Sequence, residues 1–140
     1  MMITLPIYLQ LPFKYKKAQK KKPDGLYTTP INFNEARLMN RFTYPRVKKA
    51  FAEIAGEQVR GKVYQWQIKV VYNLYYKNIQ SDVTNWIAVV DKFFLDVLQK
   101  EGCIIDDNVK YVIETVARVV EQDRENPRVE VEITENYSIT

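Results

Sequence analysis

"VYQWQIKVVYNLYY", residues 63–76, decides the fold. Tyr64, Trp66, Ile68, Val70, Tyr72, Leu74 and Tyr76 alternate with Gln65, Gln67, Lys69 and Asn73. Apolar groups at period two point to one face of a pleated ribbon, so the stretch reads as a strand lying on a core. An aromatic stripe of this kind can stack nucleic-acid bases. At strict period two it more often packs inward.

Downstream of this strand, Val89, Val90, Phe93, Phe94, Val97 and Leu98 recur at helical spacing, which predicts a helix over 84–100. Ser81, Asp82 or Thr84 can cap its start, and Gly102 stands just past its end. "VKYVIETVARVV" (109–120) is rich in β-branched residues and reads as a strand. "RVEVEIT" (128–134) alternates cleanly and reads as the last strand.

Upstream, the second half of residues 31–55 reads as a helix with Val47, Phe51 and Ile54 on one face, Pro45 near its start and Gly56 at its end. Residues 2–12 alternate loosely around prolines, as an edge strand does. Between them lies a mobile basic loop, residues 13–30, with six lysines in 14–22 and a PDG turn signal. The order β-α-β-α-β-β predicts one α+β domain over residues 1–140, a small mixed or antiparallel sheet with two main helices packed on one face.

A chain of 140 residues, 46% hydrophobic and 27% charged, can bury a core without disulfides or structural metal. Its single cysteine, Cys103, excludes an intrachain disulfide and reads as a small buried side chain. Histidine is absent, which excludes a Ser-His-Asp triad, a Cys-His pair and a His-ligated zinc site. The first residues do not read as a signal peptide, and no apolar run approaches a membrane span, so a cytoplasmic protein is expected.

The net charge of +4 conceals an asymmetry. Residues 1–80 carry 15 Lys and Arg against 4 Asp and Glu, and residues 81–140 carry 6 against 13. A basic half suits a polyanion partner; an acidic half suits solvation or a metal.

The acidic half contains "SDVTNWIAVVDKFFLDVLQKEGCIIDDN" (81–108). Asp82 and Asn85 stand where the aromatic strand hands over to the helix; Asp106 and Asp107 stand at the entrance to the next strand. If the two strands are neighbours, these groups are expected at one end of the sheet, with Ile104 and Ile105 anchoring the Asp pair. Converging carboxylates are costly without a cation, and Mg2+ suits hard oxygen ligands. A metal-bound water beside a phosphodiester gives hydrolysis without histidine. A solvated turn or cap is the competing reading of the Asp pair.

This string resembles the active-site pattern of the RusA-type Holliday-junction resolvases, small metal-dependent endodeoxyribonucleases of phages and prophages: D-x-D-N, a lysine, K-x-x-x-D-x-L, an apolar segment and DD. "DVTN" (82–85) stands at the first element, and "KFFLDVLQKEGCIIDDNV" (92–109) matches the rest without a gap. "INFNEARLMNRFTYPRVKKAFAE" resembles the family's early loop and basic helix, and "PRVEVEITE" its closing strand.

The resemblance implies a Mg2+- or Mn2+-dependent endonuclease cutting branched double-stranded DNA. It implies Asp82, Asp106 and Asp107 as metal ligands and Asn85 as a residue ordering the turn or contacting metal-bound water. Lys92 would stabilise phosphate charge, oriented by Asp96 one turn on. Lys14, Lys16, Lys17, Lys20, Lys21, Lys22, Arg37, Arg41 and Arg46 would hold DNA. Paired cuts across a junction imply a C2 homodimer, acting in host cytoplasm if phage-encoded.

Three departures stand out. Thr84 replaces the second aspartate of D-x-D-N. Four extra residues separate Asn85 from Lys92, and in the other register Ala88 takes the lysine's place. Asp91 is additional and could supply the missing carboxylate. The rival expectation is a junction-binding or assembly protein on the same fold, without cleavage.

Overall fold

The computed structural model describes residues 2–79 and 82–136. Strands β1 (Ile3–Pro6), β2 (Tyr8–Leu11) and β3 (Tyr27–Pro30) lead into a short helix α1 (Phe33–Ala36) and the long helix α2 (Thr43–Val59). Then follow β4 (Gln67–Tyr76), α3 (Val83–Lys100), β5 (Val112–Gln122) and β6 (Arg128–Asn136). The main sheet runs β1-β6-β4-β5, and β2 and β3 form a separate antiparallel ribbon. β4 and β5 are parallel, joined through α3, while β6 is antiparallel to both β4 and β1. The class is α+β with a mixed sheet.

Ile68, Val70, Tyr72 and Leu74 point from β4 into the core with Val129 and Val131 of β6. α2 and α3 cover them: Tyr72 meets Phe94 edge-on, and Phe93 meets Phe51 and Tyr44 the same way. The stripe of residues 63–76 is therefore core over its strand portion. It begins later than its alternation suggests. Tyr64 donates its backbone N–H to the Cys103 carbonyl at 2.9 Å, and Trp66 is 39% exposed. Cys103 itself is fully buried, as its reading predicts.

The element order differs from β-α-β-α-β-β in three places. The N-terminal strand breaks at Ile7, and its halves enter different sheets. The basic loop ends in a strand, with Thr29 opposite Leu9 in β2 and fully buried. α1 is an extra turn, capped by the Asn32 side chain, which accepts from the Glu35 N–H at 2.8 Å.

α2 turns its Val47, Phe51, Ala55 and Val59 inward, while Ile54 is 42% exposed. It also runs through Gly56, where an added Cβ would lie 3.1 Å from the Glu101 carboxylate, so the glycine serves close packing. The stop is Gly61, at φ +87. At the other end, Asn40 Oδ1 accepts from the N–H groups of Phe42 and Thr43 at 2.9 and 2.8 Å, satisfying donors the helix cannot. Asn40→Ala is expected to cost about 1 kcal/mol in denaturant unfolding; an unchanged midpoint would mean that water replaces the cap.

α3 closes as the sequence suggests. Gly102 adopts φ +75; its N–H donates to the Gln99 carbonyl at 3.1 Å and that of Cys103 to Leu98 at 2.8 Å, a Schellman motif. Among the described residues, no helix is long and apolar enough to cross a membrane.

Candidate nucleic-acid interface and acidic site

The 13–26 segment is tied to its surroundings through Tyr15, Lys16, Phe13 and Lys22. Lys16 pairs with Glu35 of α1 at 2.7 Å, and the Tyr15 hydroxyl donates to the same carboxylate. Burial alone would raise the Glu35 carboxyl; the hydrogen bonds from Lys16 and Tyr15 outweigh it and hold the group below its ordinary range. The Arg46 guanidinium stacks on Phe13, 3.7 Å from the ring centre, joining the segment to the start of α2. Lys22 reaches Gln10 of β2 at 3.0 Å.

Lys14, Lys16, Lys17, Lys20, Lys21, Lys22, Arg37, Arg41 and Arg46 are all exposed. The segment, α1 and the first turn of α2 thus share one strongly basic neighbourhood. α1 in turn touches α3: the Asn34 N–H donates to Asn85 Oδ1 at 2.9 Å. Asn85 thus links α3 to the start of α1.

Asp82 caps α3. Its Oδ1 accepts from the Thr84 N–H at 3.0 Å and from the Thr84 hydroxyl at 2.8 Å. Those bonds, the hydroxyl's first, depress the Asp82 carboxyl. Ser81, the other candidate cap, lies outside the described residues. Asp82 and Asn85 line a small cavity of about 50 Å³ with Ile7, Tyr8, Asn32 and Trp86. The Trp86 indole N–H is buried and has no acceptor among the described residues.

Asp106 and Asp107 follow the far end of α3. Eighteen helical residues intervene, about 27 Å of helix at 1.5 Å per residue. Asp106 turns back on its own loop, accepting from the Asp107 N–H at 2.8 Å and the Asn108 amide at 3.0 Å. That matches the turn reading of this residue. Asp107 is exposed. Ile104 anchors the loop in the core, whereas Ile105 is 75% exposed.

Among the described residues, no three Asp, Glu, Cys or His side chains converge as a metal ligand set. The expected trio of Asp82, Asp106 and Asp107 is not gathered, because α3 stands between the first and the other two.

The carboxylate that senses Asp107 is Asp91, midway along α3. It accepts from the Tyr72 hydroxyl at 2.5 Å. Burial raises the Asp91 carboxyl, the Tyr72 bond pulls it back, and the nearby charge of Asp107 pushes it up again. The extra aspartate was visible in the sequence; its tyrosine partner was hidden, because Tyr72 reads as one more apolar member of the stripe.

Lys92, the next residue, is exposed and makes no ion pair among the described residues. Asp96 does not orient it. Its partner is Lys48 of α2, at 2.5 Å, since the packing of α2 beside α3 brings a closer cation than the one a turn away.

No protein-family model matches this chain, and no curated protein matches it significantly.

Proposed function

We propose that the protein is a metal-dependent endonuclease for branched DNA, a four-way junction being the substrate that best suits the RusA-like string of residues 82–109. The observation that carries this reading is Asp91, a half-buried carboxylate midway along α3 that accepts from the Tyr72 hydroxyl and feels the charge of Asp107. A carboxylate so placed is relieved by a divalent cation. Mg2+ is commonly held by one or two carboxylates, with waters and substrate phosphates completing its shell, so Asp91 and Asp107 would supply enough charge where the three-carboxylate set does not form. When bound, the ion supplies a Lewis acid and an activated water.

The chain's own residues do the rest. Tyr72 fixes the Asp91 carboxylate from below. Lys92, on the adjoining position of α3 and exposed, is available to phosphate. The basic neighbourhood of the 13–26 segment, α1 and α2 holds the DNA backbone, which favours shape over sequence readout. A dimer supplies the second cut.

A second reading, a junction binder without cleavage, is favoured by one observation: the Thr84 hydroxyl, in the place of the family's second carboxylate, is spent on Asp82. Incubating the folded protein with an end-labelled four-way junction, with and without Mg2+ or Mn2+, separates the two. Metal-dependent nicks near the branch point are expected. Intact junction across both metal titrations, with binding retained, would establish the binder.

Replacing Lys20, Lys21 and Lys22 together by alanine is expected to weaken junction binding. The logarithmic salt slope should flatten by up to about one unit for each phosphate that the variant no longer neutralises. A slope equal to the parent's would assign these lysines to solubility alone.

A further inference from the structure

The two edges of the main sheet are treated differently. β1 is four residues long and ends in Pro6, the short, proline-blunted kind of edge that resists pairing. β5 is eleven residues long, "VIETVARVVEQ", with neither proline nor lysine. Among the described residues no strand pairs with its outer side. Ile113 is 42% and Val119 53% exposed on it. A long β-branched edge left open is a template for another strand.

The sequence of that edge is complementary to itself. Laid antiparallel on a second copy about a two-fold axis at Val116, it sets Val116 against Val116, Thr115 against Ala117, Glu114 against Arg118 and Ile113 against Val119. Each unlike pair occurs twice. Opposite charges therefore face each other at 114/118 and apolar groups at 113/119 and 116/116, the combination that favours a cross-strand register. Moving the axis one residue to Ala117 puts Arg118 opposite Val116 and Glu114 opposite Val120, and the match disappears.

The backbone is regular over the centre of this window, Glu114–Arg118, with Ile113 at a register shift. The register of β5 on β4 slips between Ile68 and Lys69 and again between Leu74 and Tyr75, and from Glu114 to Val119 it is regular. Glu114 and Arg118 lie opposite Lys69 and Asn73 of β4, on the sheet face away from the helices. Lys69 reaches Glu114 only at 3.8 Å, and Arg118 has no ion-pair partner among the described residues.

We propose that β5 is the seam of a homodimer, pairing antiparallel with β5 of a second copy about Val116 and joining two four-stranded sheets into one of eight. This names the surface of the dimer invoked above but rests on the strand alone, and its test uses neither DNA nor metal. A failure here leaves the nuclease reading standing, and the reverse holds too.

Sedimentation equilibrium of the full chain is expected to show a reversible dimer. Glu114→Arg and Arg118→Glu should each raise its dissociation constant by about tenfold or more, since each places like charges opposite one another twice. The double exchange should restore the dimer while leaving the internal Lys69 pair broken. Val116→Cys should oxidise readily to a disulfide-linked dimer, because directly opposed residues have Cα atoms about 4.5–5.5 Å apart. Glu121→Cys, about 33 Å from its copy in this register, should not. A protein monomeric at every concentration, single reversals that leave the dissociation constant unchanged, or a Glu121→Cys that crosslinks as fast as Val116→Cys would each overturn the seam.

Discussion

Asp91→Asn is expected to abolish junction cleavage and, in the same protein, to raise the unfolding temperature at neutral pH. Asparagine keeps an oxygen for the Tyr72 hydroxyl and removes only the charge. The loss of that charge should lower the cleavage rate by about two orders of magnitude or more, the scale on which single electrostatic contacts to a transition state act. Junction binding should persist, since a negative charge near phosphate has gone. The stability gain follows from the raised carboxyl of the folded state, caused by burial, opposed by Tyr72 and reinforced by Asp107. A carboxyl raised on folding stabilises fully below its unfolded value of about 3.9 and less as pH climbs through its folded value. At neutral pH the ionised Asp91 is therefore a cost that the asparagine removes, and the gain should vanish below about pH 4. Gel assays of cleavage and melting curves at both pH values check the two halves. Unchanged cleavage would remove Asp91 from the site, and a lowered melting temperature at neutral pH would make it a structural hydrogen-bonding residue instead.

Phe93→Ala should bring the chain close to unfolding. The ring is 1% exposed and packs edge-on against Tyr44 and Phe51, the contact that fastens α3 to α2 over the sheet. Removing it costs about 3–5 kcal/mol in a core that cannot collapse around the gap. That is a fifth or more of the roughly 5–15 kcal/mol that holds a domain of this kind together. Urea titration should show the midpoint falling with little change in slope. A loss below about 1 kcal/mol would mean that the helices close over the space.

Regular periodicity made β4, α3 and β6 legible, because each has one face in the core and one in water. The Schellman end of α3 was equally readable from Gly102. The ribbon strand β3 was not: "YTTP" follows a lysine run, has no alternation and forms only because Leu9 and Leu11 of β2 offer a partner across the intervening basic segment. Gly56 misled because a glycine that permits close approach to Glu101 looks, in sequence, like one that ends a helix. At the site, Asp82 as a cap could be read from D-x-T, since the bond is local. The Asp91–Tyr72 bond and the Lys48–Asp96 pair could not, because packing between elements makes them.

The position of β6 has a consequence for how the protein is made. β6 lies between β1 and β4, so both strands wait for one that is synthesised after them. Until then Val70, Tyr72 and Leu74 have only the helices and β5 to lean on, and one flank of β4 is without its backbone partners. Closure of the sheet is a long-range event that synthesis itself delays, which makes this a slow-folding topology with a period of exposure during translation. Pauses or chaperone contacts that lengthen that interval would act on β1 and on this flank of β4, the two places that β6 closes.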